Sequence, residues 1–175
     1  ATDDKLATIH GNIPELAIGR FPARNETEVV NFVEKIMAME ITPGLGPWRQ
    51  RVILMADDGA RPEPTSGSIE TGKSHTRYSE TLAELIPSFI SVEKLYLLEY
   101  PEVSDASSYG VVKPDATVDL FNKLNKGSAI ISYIGHGSPD QLAQEKLLSL
   151  DRGDINQMNT GGKMPLWIVG TCSFG

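Results

Sequence analysis

The sequence predicts a three-layer α/β fold built on a mainly parallel sheet. Four short apolar runs, at residues 51–56, 94–98, 129–134 and 165–170, have the length and composition of buried strands. Segments with helical periodicity separate consecutive runs. Because strands that alternate with helices are joined by right-handed crossovers, the strands are expected to lie parallel, with helices on both faces of the sheet.

Composition excludes several classes of protein. The 175 residues carry a net charge of −7 without a basic cluster, which argues against binding to nucleic acid. No apolar run approaches the roughly 20 residues needed to span a bilayer. A single cysteine excludes an internal disulfide and an all-cysteine metal site. The chain begins Ala-Thr-Asp-Asp without Met, as expected of a processed or excised end.

The first half of the chain contains two predicted helices around a predicted strand. A short strand at 15–18 comes first. Asn25 then caps a helix, with Glu28 in the capping-box position, and Pro43 and Gly44 follow its end. The strand at 51–56 leads into a surface loop over 60–74. The next helix, over 76–86, is expected to face inward through four residues: Tyr78, Leu82, Leu85 and Ile86.

The second half repeats the alternation and ends on a strand. After the strand at 94–98 and a polar loop over 101–113, Pro114 opens a helix that Gly127 closes. A short helix over 151–158 separates the last two strands. We expect residues 1–45 to form an N-terminal subdomain remnant with its leading helix, and residues 46–175 to form the main α/β domain. A last strand at the sheet edge would be uncovered, so we expect the chain to be part of a longer protein whose fold continues at the C-terminus.

A histidine and the cysteine follow the last two strands of the predicted sheet. His136 stands between Gly135 and Gly137, and Cys172 ends the final apolar run. Since ligands bind at the carboxyl ends of parallel strands, imidazole and thiol are expected at one crevice, as a nucleophile with its base. The N–H groups of Gly137 and Cys172 could stabilise an oxyanion there.

The neighbouring carboxylates leave alternatives open. Asp57 and Asp58 follow the strand at 51–56 and could orient His136, hold Mg²⁺, or simply form a turn. His10 and His75 have no metal-ligand spacing with His136, so no metal site is expected. Residues 67–74 match the P-loop pattern, but no strand runs into the first glycine. Cys172 could also be a buried structural residue of a non-catalytic scaffold.

Several segments together resemble the gingipain-type cysteine peptidases, which share a caspase-like fold. They are Gly-His-Gly-Ser-Pro-Asp at 135–140, Glu145, the segment 150–155, and Thr-Cys before Phe-Gly at 171–175. Within the family, the likeness is strongest to the cell-surface sortase of the type IX secretion system. It implies Cys172 as nucleophile, His136 as general acid/base, Gly137 as an oxyanion-hole residue and Asp58 as the acidic residue that orients the histidine, with Asp57 as the alternative.

The resemblance also implies a substrate and a location. The substrate class is polypeptide, specifically the C-terminal sorting signals of exported proteins, with surface lipopolysaccharide as acceptor and no cofactor. The expected location is extracellular or at the outer-membrane surface. His75 aligns with the acidic residue that gives some gingipains their preference for arginine, so that preference does not transfer. The family also has further strands beyond the position of Gly175, and the rest of the longer chain is an expected partner.

Overall fold

A computed structural model describes residues 3–41, 45–58, 73–106 and 110–174. The chain divides into two compact units, Ala1–Glu40 and Ile41–Gly175. Its helices are α1 (Asp3–Leu6), α2 (Glu26–Ile41), α3 (Lys73–Leu85), α4 (Pro114–Lys126) and α5 (Asp154–Gln157). Its strands are β1 (Arg51–Ala56), β2 (Ser91–Tyr96), β3 (Val103–Asp105), β4 (Gly110–Val112), β5 (Ile130–Ile134), β6 (Gly137–Ser138), β7 (Gln141–Leu142), β8 (Leu148–Ser149) and β9 (Leu166–Gly170). None of the described helices combines the length and apolar character needed to cross a bilayer.

The first unit contains the predicted helix cap at Asn25 but not the predicted strand. Asn25 Oδ1 accepts a hydrogen bond from the backbone N–H of Glu28 at 3.0 Å, which satisfies a free donor at the start of α2. Residues 15–18 are irregular, so the strand prediction is wrong. The N–H groups of Glu15 and Leu16 donate instead to the carbonyl of Ala7, at 2.8 and 3.2 Å, and no described strand lies beside them.

The second unit confirms the mainly parallel sheet. The four long strands lie in the order β2-β1-β5-β9, and every neighbouring pair is parallel. The histidine strand β5 therefore lies between the aspartate strand β1 and the cysteine strand β9. Within the described residues, β9 forms one edge of this sheet, as the sequence predicted.

Alternating residues of β1 face two different apolar clusters, which gives the three layers. Ile53 and Met55 pack in the larger cluster with Leu120 and Leu124 of α4. Three other β1 residues, Val52, Leu54 and Ala56, pack in the smaller cluster, where Ala83 and Ile86 lie against them. This period of two places one helix on each face of the sheet.

Helix α3 presents a different face to the sheet from the one predicted. Tyr78, Leu82 and Leu85 are exposed, so their assignment to the core is wrong, whereas Ile86 packs against the smaller cluster as expected. Ser79 is fully buried on the inward face, and Ala83 is partly buried there. The small side chains on this face permit a close approach between the helix and the sheet.

Two further segments differ from their predictions. The polar loop over 101–113 contains the antiparallel hairpin β3-β4. The helix predicted over 151–158 shortens to α5, which Gly153 precedes in a left-handed conformation with φ of 71°. Asp154 organises this segment, because its buried carboxylate accepts the N–H of Ser149 at 2.8 Å and pairs with Arg152 at 2.6 Å. Side-chain hydrogen bonds of this kind compete with helix formation.

Candidate active site

Three adjacent strands end at one edge of the sheet, and the predicted site residues follow directly after these strand ends. Ala56, Ile134 and Gly170 are aligned across β1, β5 and β9. The pairing continues for one more step, because the N–H of Asp57 donates to the carbonyl of Ile134 at 3.0 Å and the N–H of Gly135 donates to that of Gly170 at 3.2 Å. Asp58, His136 and Cys172 each stand two positions beyond the aligned row. In a parallel sheet, equal offsets from an aligned row bring residues to the same edge.

The backbone of His136 is held on both sides. Its N–H donates to Asp57 Oδ2 at 2.9 Å. Its carbonyl accepts the N–H of Ala143 at 2.9 Å and the hydroxyl of Tyr133 at 2.6 Å. Tyr133 is fully buried, and burial raises the pKa of its hydroxyl, so this group remains a donor across the ordinary pH range. These three partners fix the point from which the imidazole projects.

Close packing explains both glycines beside His136. A Cβ atom on Gly135 would lie 2.3 Å from Cβ of Asp57 and 2.7 Å from the hydroxyl oxygen of Tyr133. A Cβ atom on Gly137 would lie 2.6 Å from Oγ1 of Thr171, the residue before Cys172. Neither position has room for a side chain, so the histidine loop is packed directly against β1 on one side and the cysteine segment on the other.

The N–H of Gly137 points away from the hairpin that follows it. Gly137 and Leu142 are paired across β6 and β7. Since the N–H of Ala143 donates to His136, this is the pair type whose own N–H and C=O groups face outward. A cavity of about 140 Å³ adjoins the loop, lined by His136, Gly137 and the hairpin residues Ser138, Gln141, Ala143 and Gln144. This volume is below the roughly 300–1,000 Å³ of ordinary ligand pockets.

Asp57 and Asp58 have different partners. Asp57 is fully buried and accepts the N–H of His136 and, at 2.8 Å, the N–H of Asp58. Asp58 instead forms an ion pair with Lys113, whose ammonium is almost fully buried and also donates to the carbonyl of Leu97 at 2.6 Å. Burial raises the pKa of Asp57, and the nearby charge of Asp58 raises it further. Asp57 therefore contacts the histidine segment directly, whereas Asp58 pairs with Lys113, the residue before helix α4.

Glu145 forms a carboxylate cluster with Asp57 and Asp58. One carboxylate oxygen from each of Asp57, Asp58 and Glu145 lies within 4.8 Å of the others. Glu145 is 2% exposed, and its Oε2 has no hydrogen-bond partner in the described part of the chain. Burial and, after it, the charges of Asp58 and Asp57 raise the pKa of Glu145 to about 7. The cluster thus contains a carboxyl group that titrates near neutrality.

The structure places His75 beside His136, a contact that their spacing in the sequence did not indicate. The two imidazole rings meet edge to face, with centroids 5.2 Å apart. A ring nitrogen of each lies within 4.8 Å of the other and of an Asp57 carboxylate oxygen. The fold brings about this proximity, for which the sequence has no metal-ligand spacing. The position of His75 in the first turn of α3 was the available signal, because a crossover helix begins at the edge where the preceding strand ends.

Cys172 is exposed. It follows β9 directly after Thr171, and no disulfide occupies its sulfur. An exposed thiol beside a histidine loop is chemically accessible to a substrate or to an alkylating reagent.

Comparison with known proteins identifies the family. The sequence model of peptidase family C25 matches residues 1–175. No curated protein matches the chain. The crystal structure of the Arg-specific cysteine proteinase gingipain R (RgpB) is similar over 97% of this chain, with a TM-score of 0.62 and 16% identity. The complex of the RgpB pro- and mature domains from Porphyromonas gingivalis gives the same TM-score and coverage with 17% identity.

The similarity to these two structures concerns the fold of the chain. The chain spans 35% and 36% of the two gingipain chains, and at these identities the likeness extends to the caspase-like fold alone. The match of the family model covers the whole chain and carries the assignment. This chain belongs to peptidase family C25, the gingipain family.

Proposed function

We propose that the chain carries the Cys-His dyad of a gingipain-type cysteine peptidase. The observation that supports this most directly is the register of β5 and β9, which aligns Ile134 with Gly170 and leaves His136 and Cys172 at equal offsets beyond that pair. The exposure of Cys172 supports it as well. A peptidase of this kind acts on a polypeptide substrate.

In the proposed reaction, the thiolate of Cys172 attacks the carbonyl carbon of the scissile peptide bond. The resulting oxyanion is stabilised by backbone N–H groups, with Gly137 as one donor because its N–H faces away from β7. Collapse of the tetrahedral intermediate breaks the C–N bond, and His136 gives a proton to the leaving amine. Water or an incoming amine then attacks the thioester and regenerates the thiol.

Asp57 is the better supported of the two candidates for the carboxylate that positions the histidine. It accepts the backbone N–H of His136, and a carboxylate oxygen of Asp57 lies within 4.8 Å of an imidazole nitrogen of that residue. Asp58, the residue that the family likeness favours, is paired with Lys113. In this proposal Asp58 acts indirectly, because it donates its backbone N–H to Asp57 and holds Lys113 in the same cluster.

The finer proposal is a type IX secretion sortase at the cell surface or outside the cell. It rests on the likeness of residues 135–140, Glu145, 150–155 and 171–175 to that branch of the family. Such an enzyme would remove C-terminal sorting signals from exported proteins and transfer the new carboxyl end to surface lipopolysaccharide. The acyl-enzyme accommodates this, since an amine can replace water in resolving the thioester.

Two other functions have less support. A scaffold with a buried structural cysteine conflicts with the exposure of Cys172. The P-loop pattern over 67–74 lies mostly outside the described residues. Only its last two positions, 73 and 74, are described, and they begin α3. The preceding strand β1 ends at Ala56. A nucleotide site of that type requires a strand that runs directly into its first glycine.

Alkylation of the thiol tests the dyad. A free cysteine has a pKa of about 8.5, so it reacts slowly at pH 6, whereas a thiol paired with an imidazole is already partly thiolate. We expect iodoacetamide to modify Cys172 at pH 6 faster in the native protein than in the urea-unfolded protein, and His136→Ala to remove the difference. Equal rates in the two states would rule out an activated dyad.

A protein substrate that ends in a sorting signal tests the sortase role. Release of the signal by the wild-type protein and its absence with Cys172→Ser would support cleavage at that signal. Mass spectrometry of the product then distinguishes transfer to an added amine from hydrolysis. Cleavage of unrelated peptides with no preference for the signal would leave a general peptidase and exclude the sortase.

A further inference from the structure

Asp57, His75 and His136 form a compact set of metal-ligand side chains at the sheet edge. One carboxylate oxygen of Asp57 and one ring nitrogen from each histidine lie within 4.8 Å of one another. The three residues come from separate elements: the end of β1, the first turn of α3 and the loop after β5. The sulfur of Cys172 does not belong to this set.

Buried imidazole nitrogens in this set have no hydrogen-bond partner. Nδ1 of His75 and Nε2 of His136 are both inaccessible to solvent, and neither finds a donor or acceptor in the described part of the chain. An unpaired buried polar atom costs about 1–3 kcal/mol, and such atoms in a native fold call for an explanation. A cation bound through these two nitrogens would satisfy them, since a neutral imidazole offers one lone pair to a metal.

The carboxylate of Asp57 is already oriented in the way metal-binding carboxylates usually are. Its Oδ1 accepts the N–H of Asp58 at 2.8 Å, and its Oδ2 accepts the N–H of His136 at 2.9 Å. Each oxygen can accept a second interaction, so coordination would not displace either hydrogen bond. Ligating carboxylates are commonly held by such outer-shell donors.

The donor set selects the class of ion. Two imidazole nitrogens and one carboxylate oxygen suit Zn²⁺ and its first-row neighbours and leave a coordination position open, whereas Ca²⁺ and Mg²⁺ prefer oxygen ligands. The adjacent all-oxygen set of Asp57, Asp58 and Glu145 is a poorer candidate, because the ammonium of Lys113 already neutralises Asp58. We propose that Asp57, His75 and His136 form a binding site for a divalent transition-metal ion, with Zn²⁺ as the best-fitting ion.

The site has a regulatory consequence, which rests on the proposed peptidase function. A metal ion bound to His136 occupies the lone pair that the imidazole needs for proton transfer. The ion-bound protein therefore has no general acid/base, and Zn²⁺ would act as a reversible inhibitor. Removal of the ion by a chelator restores the dyad.

Calorimetric titration of the purified protein with Zn²⁺ alone tests the site, with no substrate present. We expect one ion per chain, and we expect His75→Ala to weaken binding by more than the roughly 10–100-fold that loss of an outer-shell partner costs. His10→Ala is the matched control, because His10 has an 84% exposed side chain in the other compact unit. Cys172→Ser is the second control, and its affinity should equal that of the wild type.

Three results would overturn the proposal. They are the absence of binding to the wild-type protein, unchanged binding in His75→Ala, and loss of binding in Cys172→Ser, which would assign the ion to the thiol. Co²⁺ substitution gives a readout that does not depend on variants, since a site without cysteine lacks the sulfur-to-cobalt charge-transfer band. These measurements detect the bound ion and do not depend on the reactivity of Cys172. They therefore test the metal site even if the alkylation test excludes the dyad.

Discussion

Replacing Glu145 with glutamine tests the electrostatics of the carboxylate cluster. Glu145 is almost fully buried, and its pKa is raised from an ordinary value of 4.5 to about 7, first by burial and then by the charges of Asp58 and Asp57. Between these two pH values the unfolded chain has lost this proton and the folded chain still holds it. The unfolded state then binds fewer protons, so this group lowers the free energy of unfolding as the pH rises.

The size of the effect follows from the two pKa values. A difference of about 2.5 in pKa corresponds to about 3 kcal/mol, since one unit is worth about 1.4 kcal/mol. This destabilisation is absent below pH 4.5, where both states are protonated, and complete above pH 7. Glutamine cannot ionise, so Glu145→Gln should gain up to about 3 kcal/mol of stability relative to the wild type on going from pH 4.5 to pH 8.

Urea denaturation of both proteins at pH 4.5 and pH 8 measures this quantity. At each pH, the free energy of unfolding of the wild type is subtracted from that of the variant, and the two differences are then compared. This subtraction removes most of the contribution of the other titrating groups. Glu84→Gln, a change at an exposed glutamate of α3, is the matched control and should show no such pH dependence. A stability difference that is the same at both pH values would refute the reasoning that burial holds the charged form of Glu145 in an unfavourable environment.

Two other changes probe the packing around the histidine loop. Gly135→Ala should destabilise the fold by about 1–3 kcal/mol, because its Cβ would lie 2.3 Å from Cβ of Asp57. Thermal unfolding beside Gly19→Ala, where nothing lies within 4 Å, measures this, and equal melting temperatures for the two variants would contradict the close packing. Lys113→Met should cost about 3–5 kcal/mol in urea denaturation near neutral pH, since it leaves the Asp58 carboxylate, whose side chain is only 11% exposed, without its partner. A loss no larger than that of the exposed-site change Lys126→Met would show that this ion pair does not stabilise the protein.

The main strands and helices could be predicted because their sequence signals are local. Short apolar runs identified β1, β5 and β9, and their alternation with helices predicted a parallel sheet. The helix cap at Asn25 and the helix between Pro114 and Gly127 were also visible in a few consecutive residues. By the same reasoning, the sequence alone predicts His136 and Cys172 at one sheet edge.

The buried face of helix α3 could not be predicted from such local signals. Its hydrophobic residues suggested an inward face that includes Tyr78 and Leu85, but the buried residue is Ser79. Periodicity identifies an apolar stripe, whereas the closest contact between helix and sheet also depends on which side chains are small enough to fit. That fit is a property of both surfaces together.

The sequence by itself determined the fold class, the alternation of the four long strands with helices, and the edge at which the candidate dyad lies, because each depends on the hydrophobicity and turn residues of short segments. Only the tertiary structure decided which carboxylate contacts the histidine, that Lys113 pairs with Asp58, and that His75 meets His136. The partners in these contacts are distant in the sequence. Their distances are set by how strands and helices pack, and no local pattern in the chain encodes them.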